Sequence, residues 1–587
     1  KKNIIKGGHK RAWYDEAVFY HIYPLGLTGA PKENAYGEPE HRLNTLLPWI
    51  DHIKSIGCNA IYIGPLFESV GHGYETTDYK KLDCRLGDNQ DLKNFVAECH
   101  KKDIKVIFDG VFNHTGRDFF AFKDIKEKRE GSQYRDWYCN VNFGGNNEYN
   151  DGFCYENWGG YNLLVKLNQR NPAVKDYICD VVRFWVSEFD VDGIRLDAAD
   201  VLDFDFMKAL RHVANQVKPD FWLMGEVIHG DYSRWVNEGT LHSVTNYQLH
   251  KALYSGNNDH NFFEIAHTVK RLYEMGSSNP NGFKLYNFVD NHDVERIYTK
   301  LNNKAHFTPV HILMYTLPGI PSLYYGSEFG IEGKKEKFSD ASLRPALNLE
   351  DYKNALTDNS FTALIAALGR TRQQSKALSY GDYRELKLMN RQYAFSRNFE
   401  GESVVVTVNN DDSDFTMTVP AGNAAEYVGA LSGQKIRVDN GNICVNVKAN
   451  SGEIWLPVTD QTADKLSSVT PVELHVEDAA KTVAPVEPAP QNSTSAPQTA
   501  TTEKAPAADT SSAPETTANK AAAPAPATAA PAQTAVSEDF EKGKIAGLQE
   551  AILAIMEKNG PVTDQMRKDV TDNVYHDSLI NWIKSFR

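Results

Sequence analysis

Four stretches of the chain end an apolar, strand-like run in groups able to move protons or attack carbon. They are Asp109-Gly110-Val111-Phe112-Asn113-His114, Arg195-Leu196-Asp197, Gly225-Glu226 and Asp290-Asn291-His292-Asp293. A single acidic residue at a strand end is often only a cap for the next helix. Four such ends in one chain point to a shared pocket, and the chemistry they suit is cleavage of a glycosidic bond. There one carboxylic acid protonates the departing oxygen while a carboxylate attacks the carbon or activates water. Arg195 and Asp197 are two apart on one strand and face the same side, so the guanidinium is expected to lower the Asp197 pKa and keep this nucleophile ionised. Glu226 follows an apolar run. Burial and the like charge of Asp293 are expected to raise its pKa, which suits an acid that later acts as base. His114 and His292, at the same rim as Asn113 and Asp293, read as neutral donors to hydroxyl groups. No HExxH, Walker or GxGxxG pattern offers a competing chemistry.

Groups so far apart in sequence need a scaffold that gathers them at one end. Eight strand-like runs (17–24, 60–65, 105–110, 193–198, 222–227, 243–247, 284–289 and 322–327) alternate with helical segments, the pattern of an α/β fold with a parallel sheet. One helical segment, 41–57, puts Leu43, Leu46, Leu47, Ile50 and Ile53 on one face, and another opens with Asn171-Pro172 as cap and first turn. Eight such units close into a (β/α)8 TIM barrel over 1–375, whose reactive groups lie at the carboxyl ends of the strands. After the third strand, residues 115–170 are rich in Asn, Gly and aromatic residues and read as a small inserted domain over that end. From 376 to 457 the pattern alternates with period two, as in an antiparallel β-sandwich. Residues 458–537, rich in Ala, Pro, Thr and Ser, read as an extended, disordered linker. Residues 538–587 recover helical spacing (Phe540, Ile545, Leu548, Ala551, Ile552, Ile555) and read as a small helical module for a protein contact or self-association.

A net charge of −14 argues against nucleic acid or an anionic membrane as partner. No run of apolar residues reaches the ~20 needed to span a bilayer, and the opening KKNIIKGGHK has no hydrophobic signal core. The seven cysteines are scattered without CxxC spacing, so reduced thiols in a cytoplasmic protein are expected. The 28 tyrosines and 9 tryptophans are enough to spare some flat faces for sugar rings.

At these residues the sequence resembles the α-amylase superfamily, glycoside hydrolase family 13, over about 12–457. DGVFNH (109–114), GIRLDAA (193–199), GEVIHG (225–230) and FVDNHD (288–293) match its four blocks in order. The resemblance implies Asp197 as nucleophile, Glu226 as acid/base and Asp293 as the third carboxylate, which binds and distorts the sugar. It implies Arg195, His114 and His292 as further sugar ligands, and Tyr74 of HGYETTDY as the aromatic platform beneath that ring. Val165-Lys166-Leu167-Asn168 is similar to the MPKLN block of neopullulanases, cyclomaltodextrinases and maltogenic amylases, with Val165 in place of proline. His229 matches the histidine after their acid/base. The implied activity is retaining hydrolysis of α-1,4 bonds in maltodextrins, cyclodextrins or starch-derived oligosaccharides, with no cofactor required for the chemistry. A structural calcium is possible, with Asn113 as its candidate ligand. Ala198-Ala199-Asp200-Val201 lacks the Lys-His pair that many α-amylases carry there, which argues against endo-attack on long starch. The barrel opens near residue 12, without the N-terminal carbohydrate-binding domain common in neopullulanases. The same carboxylates would serve a glucanotransferase. A catalytically silent carbohydrate-binding scaffold is the remaining alternative, and the retained carboxylates and Arg195 argue against it.

Overall fold

The computed structural model describes residues 11–276, 283–337 and 339–480. Its centre is eight parallel strands: β1 Phe19–Ile22, β2 Ala60–Ile63, β3 Lys105–Gly110, β4 Gly193–Leu196, β5 Trp222–Gly225, β6 Ser243–Val244, β7 Tyr286–Asn287 and β8 Ile320–Tyr324. Neighbours in the chain pair with one another, and β8 pairs with β1. The seam between β6 and β7 is closed by a parallel bridge from Thr245 to Tyr286 and by Asn246 N–H donating to Tyr286 O at 2.9 Å. The expected barrel is therefore present, and each strand overlaps one of the eight runs.

Strand parity decides what each side chain does. Phe19, Ala60, Tyr62, Ile107, Trp222, Met224, Tyr286 and Ile320 form the apolar filling of the barrel interior, with Trp222 stacked on Phe19 at 5.2 Å between ring centroids. Two residues further along, on the same face, the interior turns polar: Asp109 follows Ile107, and Glu226 follows Met224. The opposite parity, including Ile61, Val106, Phe108, Ile194 and Leu223, packs in the outer core beneath the helices. At the end of β2 a Cβ on Gly64 would lie 2.3 Å from the Cβ of Asp109, so only glycine lets these strand ends approach so closely.

The helix Pro172–Phe189, which precedes β4, starts where the Asn-Pro signal places it. Asn171 Oδ1 accepts from Ala173 N–H at 2.9 Å, and the helix buries Val174, Ile178, Val181, Val182 and Trp185. Between β3 and this helix lies the inserted segment. Its three-stranded sheet combines His114–Thr115, Tyr161–Lys166 and Asn157–Trp158, and its helix Phe120–Lys128 packs Phe122 against Tyr138, Phe153 and Tyr155.

Two antiparallel sheets follow, enclosing Ala394, Val405, Met417, Tyr427, Ile443 and Trp455. Residue 376 does not open this domain as a strand. Lys376–Tyr380 is a short helix with Ser375 as its cap, and the first strand is Arg384–Leu388. Five residues are too few for periodicity to separate helix from strand.

The expected linker departs further from expectation. Residues 458–480 pack onto the molecule: Leu466 is buried, and Val472 N–H donates to Leu431 O at 2.8 Å. His475 N–H donates to Ser360 Oγ at 2.8 Å, and Asp478 Oδ2 accepts from Ser360 N–H at 3.1 Å at the amino end of the helix Ser360–Gln374. Ala480 N–H donates to Phe329 O at 2.9 Å. The segment is a strap from sandwich to barrel, held by sparse apolar anchors and by a carboxylate brought to a distant helix start. Neither feature has a local period. A chain ending at Pro457 is expected to unfold about 1–2 °C below one ending at Ala480 in a thermal scan, given what a lost cap costs in a body of this size. Equal midpoints would show that the strap adds nothing to stability. The rest of the linker, 481–537, and the helical module 538–587 lie outside the described residues. Among the described residues no helix is long and apolar enough to cross a membrane, and all seven cysteines are free.

Candidate active site

β3, β4 and β5 are hydrogen-bonded neighbours, with Asp109 in register with Arg195. Their inward-facing ends therefore converge on one cation. Arg195, only 3% exposed, donates from Nη1 to Asp109 Oδ1 at 2.9 Å and to Asp197 Oδ1 at 2.8 Å, and its Nη2 lies 3.0 Å from Glu226 Oε1. One guanidinium thus holds three carboxylates, with the nucleophile and acid candidates side by side on its fork. Glu226 Oε2 also accepts from Ala198 N–H at 3.0 Å. Asp109 Oδ2 accepts from the hydroxyls of Tyr62 at 2.8 Å and Tyr74 at 3.1 Å.

The loop after β7 adds the third candidate carboxylate. Asp293 Oδ1 accepts from Arg344 Nη2 at 2.9 Å, and its Oδ2 lies 3.1 Å from His292 Nε2. His292 Nε2 is also 2.5 Å from Tyr74 Oη, and its ring stacks on Tyr74 with 15° between planes. His114 is held by Asn113 Nδ2, which donates to its Nδ1 at 3.2 Å and leaves the ring proton on Nε2. It lies beside the Tyr74 backbone. Buried His114 Nε2 and His292 Nδ1 have no hydrogen-bond partner.

Burial drives both histidines down to about 3, so they are neutral at pH 7 and serve as hydrogen-bonding groups. Burial alone would raise Asp293, but His292, Arg344 and Arg195 overcome it and hold the carboxyl at about 2. Glu226 is raised as expected: burial leads, Asp293 and Asp109 add to it, and Arg195 and the Ala198 N–H oppose it. Asp197 corrects an expectation. Burial, with Glu226 and Asp109 alongside, raises it well above the usual carboxylate range despite Arg195, because that single cation is shared among three anions. The Asp197–Glu226 pair therefore takes up a proton more readily than isolated carboxylates.

Asp197, Glu226, Asp293, Arg195, Tyr74 and His292 thus form one connected cluster, with His114 beside the Tyr74 backbone. His229 does not join them. It is exposed, and close enough to Asp200 to act on that carboxyl. Asp109 was legible as a strand end but carried no assigned role; its two-residue offset from Ile107 is the signal that places it inside. Arg344 is a lone arginine beyond β8 and gives no local signal. Asn113, the candidate calcium ligand, accepts at Oδ1 from Gln169 Nε2 at 3.1 Å and at its carbonyl from Leu167 N–H at 3.0 Å, which leaves a second lone pair on each oxygen. Among the described residues, the one group of three acidic or histidine side chains close enough to share an ion is His41, Asp88 and Asp91, two of which cap a helix.

A closed parallel barrel with a carboxylate pair at its polar end defines a glycoside hydrolase of the barrel class. Comparison with known proteins narrows this. The alpha-amylase catalytic domain matches residues 42–375 and the alpha-amylase C-terminal domain matches 381–455. The chain belongs to the alpha-amylase family. It is 32% identical over 418 residues to a cyclomaltodextrinase of Thermoanaerobacter pseudethanolicus, covering 68% of this chain and 71% of the relative. It is 29% identical over 467 residues to neopullulanase 2 of Thermoactinomyces vulgaris, covering 75% and 78%. Among solved structures it is similar to a cyclomaltodextrinase at TM-score 0.66 and 26% identity, covering 76% of this chain and 78% of that one. An Anoxybacillus alpha-amylase matches at TM-score 0.63 and 25% identity, covering 76% and 100%.

Proposed function

We propose that the protein hydrolyses α-1,4-glucosidic bonds of maltodextrins and cyclodextrins by double displacement. The observation that carries the reading is the shared grip of Arg195 on Asp197 and Glu226. Asp197 attacks C1 from the face opposite the leaving oxygen while the Glu226 proton passes to that oxygen. The C1–O bond breaks and a glucosyl ester forms on Asp197. Glu226, now a carboxylate, takes a proton from water. The water oxygen attacks C1, releasing Asp197 and restoring the α configuration. Asp293, held ionised by Arg344 and His292, binds ring hydroxyls and stabilises positive charge at C1, and Tyr74, His114 and His292 fix the ring. The side chains supply each proton and the nucleophile, so no cofactor is needed. The names of the relatives favour cyclodextrins and short maltodextrins over long starch, in keeping with the absent Lys-His pair after Ala199.

Chromatography of products from maltotriose, maltodextrin, β-cyclodextrin, pullulan and starch is expected to show cleavage of the first three. Proton NMR of the initial product is expected to show the α-anomer. An initial β-anomer would contradict the Asp197 assignment.

A further inference from the structure

Among the eight tryptophans of the described residues, Trp158 alone is exposed, with 39% of its surface open. It stands at the tip of the hairpin Asn157–Trp158/Tyr161–Lys166, which turns through Gly159 at φ +65° and Gly160 at φ +86°. Two consecutive positive φ values are what a two-residue type I′ turn demands, and glycine supplies them without strain. The tip is braced: Gly160 N–H donates to Asn157 Oδ1 at 3.0 Å, and Asn157 Nδ2 donates to Asn162 Oδ1 at 2.8 Å. The hairpin base pairs with the segment that carries His114, placing Lys166 opposite His114. This register sets the indole 6.0 Å from the His114 ring, between centroids, at a 38° tilt.

No packing need explains an indole here, since its cross-strand partner Tyr161 is itself 64% exposed. The neighbouring His114 Nε2–H is buried and unpartnered. A flat open ring beside His114, which itself adjoins Tyr74 of the carboxylate cluster, matches a pyranose. The CH face of the sugar lies on the indole, while the His114 donor stays with the ring held at Asp197.

We propose that Trp158 is a stacking platform for a glucosyl unit next to the one held at Asp197, and that it sets the affinity for oligosaccharides. This rests on the α-glucan reading above. A platform of this kind binds ground state and transition state alike, so its loss appears in KM more than in kcat.

The direct test is calorimetric titration of the Glu226→Gln protein with maltotriose and β-cyclodextrin. Adding Trp158→Ala is expected to weaken both at least ~10-fold, while Trp158→Phe stays within about threefold. In otherwise unmodified enzyme, Trp158→Ala is expected to raise KM by about tenfold and change kcat by less than about threefold. Parental affinity in Trp158→Ala, with wild-type enzyme still cleaving maltodextrin, would overturn the platform alone. If Glu226→Gln binds neither sugar and wild type cleaves none, the α-glucan reading falls and the platform with it.

Discussion

Asp197→Asn is expected to lower kcat on maltodextrin by ~10³-fold or more, because the amide cannot form the ester on which the two-step route depends. The fold is expected to survive the change. In the wild type Asp197, Glu226 and Asp109 compete for the two terminal nitrogens of Arg195, and burial adds to the cost of ionising Asp197. Removing one of three crowded anions relieves repulsion, so the unfolding midpoint should equal or exceed that of the wild type. Scanning calorimetry beside steady-state kinetics separates the outcomes. Near-wild-type turnover would remove Asp197 as nucleophile, and a large fall in midpoint would mean that its charge is structural.

Glu226→Gln is expected to cost about 10³-fold with maltodextrin and far less with an activated aryl α-glucoside, whose leaving group departs without a proton. The pH profile carries the sharper signature. The acidic limb of kcat/KM reports ionisation of the nucleophile and the alkaline limb reports deprotonation of the acid. Burial and the neighbouring Asp293 and Asp109 raise Glu226, which moves the alkaline limb up in pH. Glutamine cannot lose a proton in this range, so with the activated substrate the alkaline limb should vanish while the acidic limb persists. An alkaline limb that survives would assign the acid to another residue.

The barrel was readable because its strands carry alternating or fully apolar runs with reactive ends, and the same period-two rule that put Ile107, Trp222 and Met224 inside also aimed Asp109 and Glu226 at the pocket. What escaped depended on contacts without a local period. That Arg195 faces Asp197 follows from their spacing; that it must also hold Asp109 and Glu226 does not, and so the direction of the Asp197 shift was misread. Arg344 reaches Asp293 across 51 residues, and Asp478 reaches the helix start at Ser360 across 118. Such pairings are set by tertiary packing. Trp158 was visible as an aromatic in an inserted loop, yet only the hairpin turn and its pairing place it beside His114.

The lone guanidinium among three anions leaves the pocket's charge unbalanced even with one proton on Glu226, since Arg195 then faces both Asp109 and Asp197. An intact neutral glycoside does nothing to settle that deficit. The flattened, electron-poor anomeric centre that exists only while the bond is breaking supplies the missing cation. Vacancy for a positive charge is thus built in before any ligand arrives: sugar-shaped amines should lodge there tightly, and glycans bearing phosphate or uronate groups should be turned away.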